Sequence, residues 1–247
     1  GFAEGAATPL SRCAEGAAVV VSRTRIKICG LTREADVDAA VAAGADAIGF
    51  VLYDKSPRHV SAARAGELAR RLPPFVTPVL LFVNATADQV AQGLQAVPQA
   101  LLQFHGDESG AQCEAAGRPY LRAARMGAGF DLLDFASRFR SAQALLLDAF
   151  VDGYGGAGKV FDWSLIPADV PAPVVLSGGL SPANVIDGVL RVRPWAVDVS
   201  SGVEAAKGIK DAVLMRRFCD AVREADAMAG ASASQHAPRA PDEESTP

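Results

Sequence analysis

The sequence predicts an α/β protein: a single (β/α)8 barrel with eight parallel strands. Three observations predict it. Short runs rich in Leu, Ile, Val and Ala alternate with Ala-rich amphipathic stretches across residues 25–228. The apolar runs do not alternate strictly with polar residues, which suits strands covered on both faces and therefore parallel pairing. About eight such units fill roughly 200 residues, the size of a closed barrel rather than of the alternative, a doubly wound open sheet.

Taken in order, strands are expected at 25–29, 47–52, 78–83, 100–104, 120–124, 144–148, 173–177 and 196–200. Helices are expected at 33–43, 62–71, 87–96, 109–116, 182–191 and 211–227. The units after strands five and six are weakly marked, with a helix at 132–138 and a short turn near 163–166. Thr32 stands where a cap for the first helix belongs, and Ser181 before Pro182 reads as a cap with proline at the first helical position. Residues 1–24, rich in Ala and Gly, read as a flexible N-terminal extension. Residues 229–247 hold no large apolar side chain, bury too little to offset ordering, and read as a disordered tail.

Half of the 247 residues are hydrophobic, 21% are charged, and the net charge is −4. No global positive field draws the chain to nucleic acid or anionic lipid. No apolar run approaches the roughly 20 residues of a bilayer span. The run Ala17-Ala18-Val19-Val20-Val21 is too short for a signal segment and is flanked by Glu4 and Glu15 instead of a basic n-region. A cytoplasmic protein with neither nucleic-acid nor membrane partner is expected. Cys13, Cys29, Cys113 and Cys219 form no CxxC pair, so reduced thiols are expected. His59, His105 and His236 lack metal-ligand spacing, and no metal is expected.

In a barrel, the C-terminal ends of the strands converge on one mouth. Cys29 ends the first strand before Gly30, and Asp148 ends the sixth after Leu145-Leu146-Leu147. A thiolate is a competent base, although a buried cysteine serves equally as a small hydrophobe. Asp148 is not followed at once by a helix, so capping explains it poorly. Ser177-Gly178-Gly179 and Ser200-Ser201-Gly202 follow the last two strands. Paired glycine turns there are the usual phosphate cradle of barrels, since backbone N–H groups approach an anion closely. Asp198 reads as an orienter of substrate or cradle, or as a structural acceptor. Arg58, on the loop after strand two, has the planar fork for a carboxylate. His105, at the end of strand four, is expected to line the pocket by contact. Gly153-Tyr154-Gly155-Gly156-Ala157-Gly158-Lys159-Val160 resembles a nucleotide loop but lacks the Ser or Thr after lysine, and no long helix follows. It reads as a lid.

These motifs, in this order and spacing, resemble one family, phosphoribosylanthranilate isomerase of tryptophan biosynthesis. The resemblance spans most of residues 25–223 and rests on Lys27-Ile28-Cys29-Gly30-Leu31-Thr32, Ser56-Pro57-Arg58, Gln103-Phe104-His105-Gly106, Leu147-Asp148, Phe161-Asp162-Trp163, Leu176-Ser177-Gly178-Gly179-Leu180 and Val197-Asp198-Val199-Ser200-Ser201-Gly202-Val203-Glu204. It implies an Amadori rearrangement without cofactor, on a small phosphorylated substrate, by a monomer or homodimer. It implies Asp148 as general acid, Cys29 as general base, and Arg58 on the anthranilate carboxylate, with His105 and Asp198 as further substrate contacts. It gives the phosphate to Gly178, Gly179, Ser201 and Gly202. Reference pKa values near 8.5 and 3.9 favour thiol with carboxylate, the reverse of what the mechanism uses, so the site must shift both groups. A nearby cation such as Lys27 is expected to favour the thiolate. Two other readings stay open: a related barrel isomerase acting on another phosphorylated aminosugar, and a silent phosphate-ligand binding barrel.

Overall fold

The computed structural model describes residues 23–149 and 160–235. Eight parallel strands close into a barrel in sequence order: β1 (Arg25–Cys29), β2 (Ala47–Val51), β3 (Thr77–Phe82), β4 (Leu101–Phe104), β5 (Tyr120–Met126), β6 (Ala144–Ala149), β7 (Val174–Leu176) and β8 (Ala196–Val199). Register pairing of Ile26 with Val197 and of Cys29 with Gly49 joins β1 to both neighbours and seals the ring. Every strand lies within two residues of its expected position.

The outer layer holds α1 (Glu34–Ala43), α2 (Ala62–Ala69), α3 (Ala87–Ala96), α4 (Gly110–Ala115), α5 (Leu132–Arg138), α6 (Val185–Val192) and α7 (Ala212–Gln235). Between β6 and β7 the described residues form only a single 3-10 turn, Trp163–Leu165. The main core lies between strands and helices, as with Ile28, Phe50, Leu80, Leu102, Leu147 and Phe218. A smaller cluster fills the barrel interior with Leu121, Ala123, Leu146 and Val175, the residues one step out of register with the outward set. The interior is thus packed below the mouth, and only the upper end is left for a ligand.

Three expectations about helix ends are corrected. Thr32 does not cap α1: its hydroxyl donates to the Gly208 carbonyl at 2.8 Å, and the cap position is Arg33. The helix after β7 starts at Val185, because Pro182, Ala183 and Asn184 form a turn held by Asn184 Oδ1 accepting the Ser181 N–H at 2.8 Å. The last helix runs to Gln235, past the expected end at 227, so the boundary drawn at 229 falls inside it. Its Ala-rich continuation has good intrinsic helix propensity. One element was unforeseen: after a 3-10 turn at Ser201–Val203, β9 (Glu204–Ala206) and β10 (Ile209–Lys210) form a small antiparallel hairpin. Among the described residues no helix is long and apolar enough to cross a membrane.

Candidate active site

On β1, Lys27 and Cys29 are two residues apart and so share the inward face. Both are buried. Gly49 on β2 makes room for the thiol, since a Cβ there would come within 2.5 Å of Cys29 Sγ. Lys27 Nζ donates to Asp198 Oδ1 at 2.7 Å, and Ser177 Oγ donates to Asp198 Oδ2 at 3.0 Å. Both oxygens of Asp198 are thus engaged by the protein, the structural-acceptor arrangement.

Burial sets the charges here. It acts first against the Lys27 ammonium, yet the Asp198 carboxylate beside it and the Cys29 sulfur carry the amine above its ordinary value. Burial pushes the Cys29 thiol up; Lys27 pulls it down, Asp198 adds to the rise, and the balance stays above the ordinary value. The expected cation is therefore in place, but it does not win. Its charge is shared with Asp198, and desolvation of the thiolate is the larger effect.

Across the mouth, the end of β6 presents Asp148. Its Oδ2 lies 3.0 Å from His105 Nε2, and its Oδ1 accepts the Ala149 N–H at 2.9 Å. His105 Nδ1 in turn lies 3.0 Å from Gln103 Nε2. His105 thus contacts the proposed acid directly, which chain position alone did not indicate.

The glycine turns close the third side. Gly178 and Gly179 have φ of 78° and 68°, and a Cβ at Gly178 would lie 2.5 Å from the Ala149 nitrogen and 2.9 Å from Asp148 Oδ1. Only glycine lets this turn pass so close to the carboxylate. Gly178, Gly179, Ser200 and Ser201 line the same pocket as Cys29 and Asp148. Gly202 does not line it. A Cβ at Gly202 would collide with the Leu180 carbonyl, so this glycine lets the second turn seat against the first.

Arg58 also lines the pocket, but its two-bond fork is taken. Its Nε and Nη2 donate to Glu204 Oε1 and Oε2 at 2.6 and 2.8 Å. This carboxylate belongs to the chain itself, and only Nη1 stands outside the fork. Glu204 also accepts from Lys210 Nζ at 2.9 Å, and Lys210 reaches the Ser200 carbonyl at 3.0 Å. Burial works against the Glu204 carboxylate, but Arg58 and Lys210 hold it below its usual range. Burial lowers the Lys210 amine, and Glu204 offsets this only in part.

The structure therefore gathers Cys29, Asp148, Arg58, His105, Asp198 and both glycine turns at one mouth. Sequence reasoning missed the roles of Gln103, Ser177, Glu204 and Lys210. Gln103 had a readable signal, since it lies two residues before His105 on a strand and must face the same way. The glycine-rich segment and Lys159 lie outside the described residues, as do Cys13 and His236. His59 is exposed. Among the described residues no group of three or more His, Cys, Asp or Glu is arranged to hold a metal ion.

A closed (β/α)8 barrel whose mouth sets a thiol and a carboxylate around one pocket defines a class, the barrel isomerases that work by moving protons. Comparison with known proteins narrows it. The family described as N-(5'phosphoribosyl)anthranilate (PRA) isomerase matches residues 26–221. The N-(5'-phosphoribosyl)anthranilate isomerase of Leptothrix cholodnii is 77% identical over 206 residues, 83% of this chain and 94% of that protein. The crystal structure of phosphoribosyl anthranilate isomerase from Thermotoga maritima superimposes with a TM-score of 0.75 at 39% identity, covering 81% of this chain and 99% of that one. A phosphoribosyl anthranilate isomerase in complex with reduced 1-(o-carboxyphenylamino)-1-deoxyribulose 5-phosphate gives 0.72 at 36% identity, with 81% and 99% covered. The chain belongs to the N-(5'-phosphoribosyl)anthranilate isomerase family, and its activity is that isomerisation, a step of tryptophan biosynthesis.

Proposed function

We propose that Cys29 is the general base and Asp148 the general acid of this reaction, on N-(5-phosphoribosyl)anthranilate in the cytoplasm. Asp148 gives its proton to the ribose ring oxygen. The C1–O bond breaks, its electron pair stays on that oxygen, and the nitrogen lone pair forms the C1=N Schiff base. Cys29 as thiolate then takes the proton from C2. The electrons of that bond form the C1=C2 enolamine, which tautomerises to the aminoketone 1-(2-carboxyphenylamino)-1-deoxyribulose 5-phosphate. Ser201, Gly178 and Gly179 hold the phosphate, with Gly202 keeping the two turns in contact. Arg58 meets the anthranilate carboxylate through Nη1. Asp198 acts through Lys27 and Ser177. The chain works as a monomer or homodimer.

The observation that carries this reading is the shared pocket: the thiol on β1 and the carboxylate on β6 line one cavity, with the glycine turns on its rim. The raised Cys29 pKa means that the free protein rests with a thiol, so the thiolate form is the minor one at neutral pH. Cys29→Ala and Asp148→Ala should each cut kcat by about 10²–10⁴. Both should still bind reduced 1-(o-carboxyphenylamino)-1-deoxyribulose 5-phosphate. Turnover within a few-fold of the unaltered protein in either variant overturns the assignment.

A further inference from the structure

Gln103 is fully buried, and among the described residues its side-chain oxygen has no hydrogen-bond partner, while its Nε2 faces His105 Nδ1 at 3.0 Å. An orphaned buried carbonyl is costly and calls for an explanation. The proton count supplies one. With the Gln103 Nε2 donating, Nδ1 must be an acceptor, so the neutral ring carries its proton on Nε2 and donates it to the Asp148 carboxylate. In that arrangement Asp148 has nothing to give. Adding one proton reverses the requirement. Nδ1 then carries hydrogen and needs an acceptor, and half a turn of the Gln103 amide brings its idle oxygen there. The second proton lies between His105 Nε2 and Asp148 Oδ2, 3.0 Å apart.

We propose that His105 and Asp148 hold the donated proton jointly, and that the Gln103 amide, by turning over, admits that proton to the pair. This rests on the reading of Asp148 as the acid and deepens it. Before the step, Gln103 Oε1 accepts from Nδ1–H and one proton lies in the Nε2–Oδ2 bond. That proton passes from Asp148 to the ring oxygen as the C1–O bond breaks and its pair moves to oxygen. The pair is left one proton short, with Nδ1–H still held by Gln103 Oε1, and a proton returned to the Nε2–Oδ2 bond restores the acid. His105 is then a catalytic partner and Gln103 a positioning residue.

Among the described residues, the other charged groups at this mouth are accounted for. Cys29 faces the pair from β1 with Lys27 tied to Asp198. Arg58 is held by Glu204, and Tyr53 lines the same pocket. Arg125, the register partner of Asp148 on β5, is paired with Asp107. Among the described residues the hydrogen-bond partner of Nδ1 is the Gln103 amide, the group placed to decide its protonation.

The test compares Gln103→Leu, which cannot accept from Nδ1, with Gln103→Glu, which accepts permanently. The Leu variant should lose at least about tenfold in kcat, with KM within about twofold. The Glu variant should recover most of that loss. Nitrogen-15 spectra of histidine-labelled full-length protein, with His59 and His236 removed from the assignment by His59→Gln and His236→Gln, should show His105 Nδ1 protonated throughout in the Glu variant. In the unaltered protein any change in Nδ1 protonation should be accompanied by a change in the Gln103 amide signals. Unaltered kcat in the Leu variant, or equal loss in both, overturns the relay. So does a Gln103 amide signal that ignores His105 protonation in the unaltered protein, a readout that needs no variant to fold. If Asp148→Ala also kept its turnover, the acid assignment itself would be wrong. If only the relay tests fail, that assignment stands.

Discussion

Glu204 shows how far a single residue can redirect a reading. The sequence shows an arginine above the mouth, and its planar fork invites a substrate carboxylate. In the structure Glu204, 146 residues further along, fills that fork and holds Lys210 as well. Spacing along the chain cannot reveal such a pair, because only the closure of β8 against β1 brings the two together. The arrangement fixes the plane of the guanidinium and leaves Nη1 outside the fork, so on the proposed reading of Arg58 as the carboxylate contact Glu204 sets its aim. Removing one member of a buried charge network leaves its partners uncompensated. Glu204→Ala should therefore destabilise the protein by about 3–5 kcal/mol in denaturant unfolding. Glu204→Gln, which keeps the shape and one acceptor, should cost less and raise KM more than it lowers kcat. Unchanged KM in the Gln variant would show that Arg58 needs no aiming.

At the scale of elements, the strands were legible and the connections were not. A buried run such as Leu145-Leu146-Leu147 announces a strand by composition alone. The start of α6 misled because Ser181-Pro182 has the chemistry of a cap but is used for a turn, with Asn184 closing it. Arg122 on β5 gave no warning either. It is buried, donates to the carbonyls of Phe104, Gly106 and Glu108, and lies 4.7 Å from the centroid of Phe139. It thereby fixes the loop that carries His105. The two glycine turns offer a direct test of how elements meet. Gly202→Ala places a methyl group into the Leu180 carbonyl and must push the turns apart. Phosphate affinity should fall at least about tenfold and stability by about 1–3 kcal/mol, the usual cost of overpacking. Gly230→Ala, on α7 with open space around the new methyl, should be neutral or gain up to about 1 kcal/mol. Equal behaviour of the two variants in phosphate titration and thermal melts would remove the argument for contact between the turns.

For the molecule as a whole, closure of the barrel does the assembling. Cys29 and Asp148 were recognisable as candidates because each follows a buried run. Their meeting follows from eight strands returning to β1. What the sequence could not supply was the cost of burial, which outweighs the expected influence of Lys27 on Cys29. The same cost reaches the other buried thiols. Burial pushes Cys113 on α4 and Cys219 on α7 from 9.0 up to about 11. A thiol that binds its proton more tightly when folded contributes its full stability below the unfolded value. That contribution is lost as pH rises towards the folded value, because only the unfolded chain releases the proton freely. Stability should accordingly fall between about pH 9 and about pH 11, by something on the order of 2 kcal/mol for each of these thiols. Tyr120, also raised by burial, adds in the same sense, so the informative quantity is a difference of slopes. Thermal melts of the unaltered protein and of the Cys113→Ala, Cys219→Ala double variant across that range would measure it. The variant should be less stable at neutral pH, where it has lost packing, yet lose less on going alkaline. Parallel curves would mean that the two thiols titrate alike in the folded and unfolded chain, and that the alkaline limit is set elsewhere in the molecule.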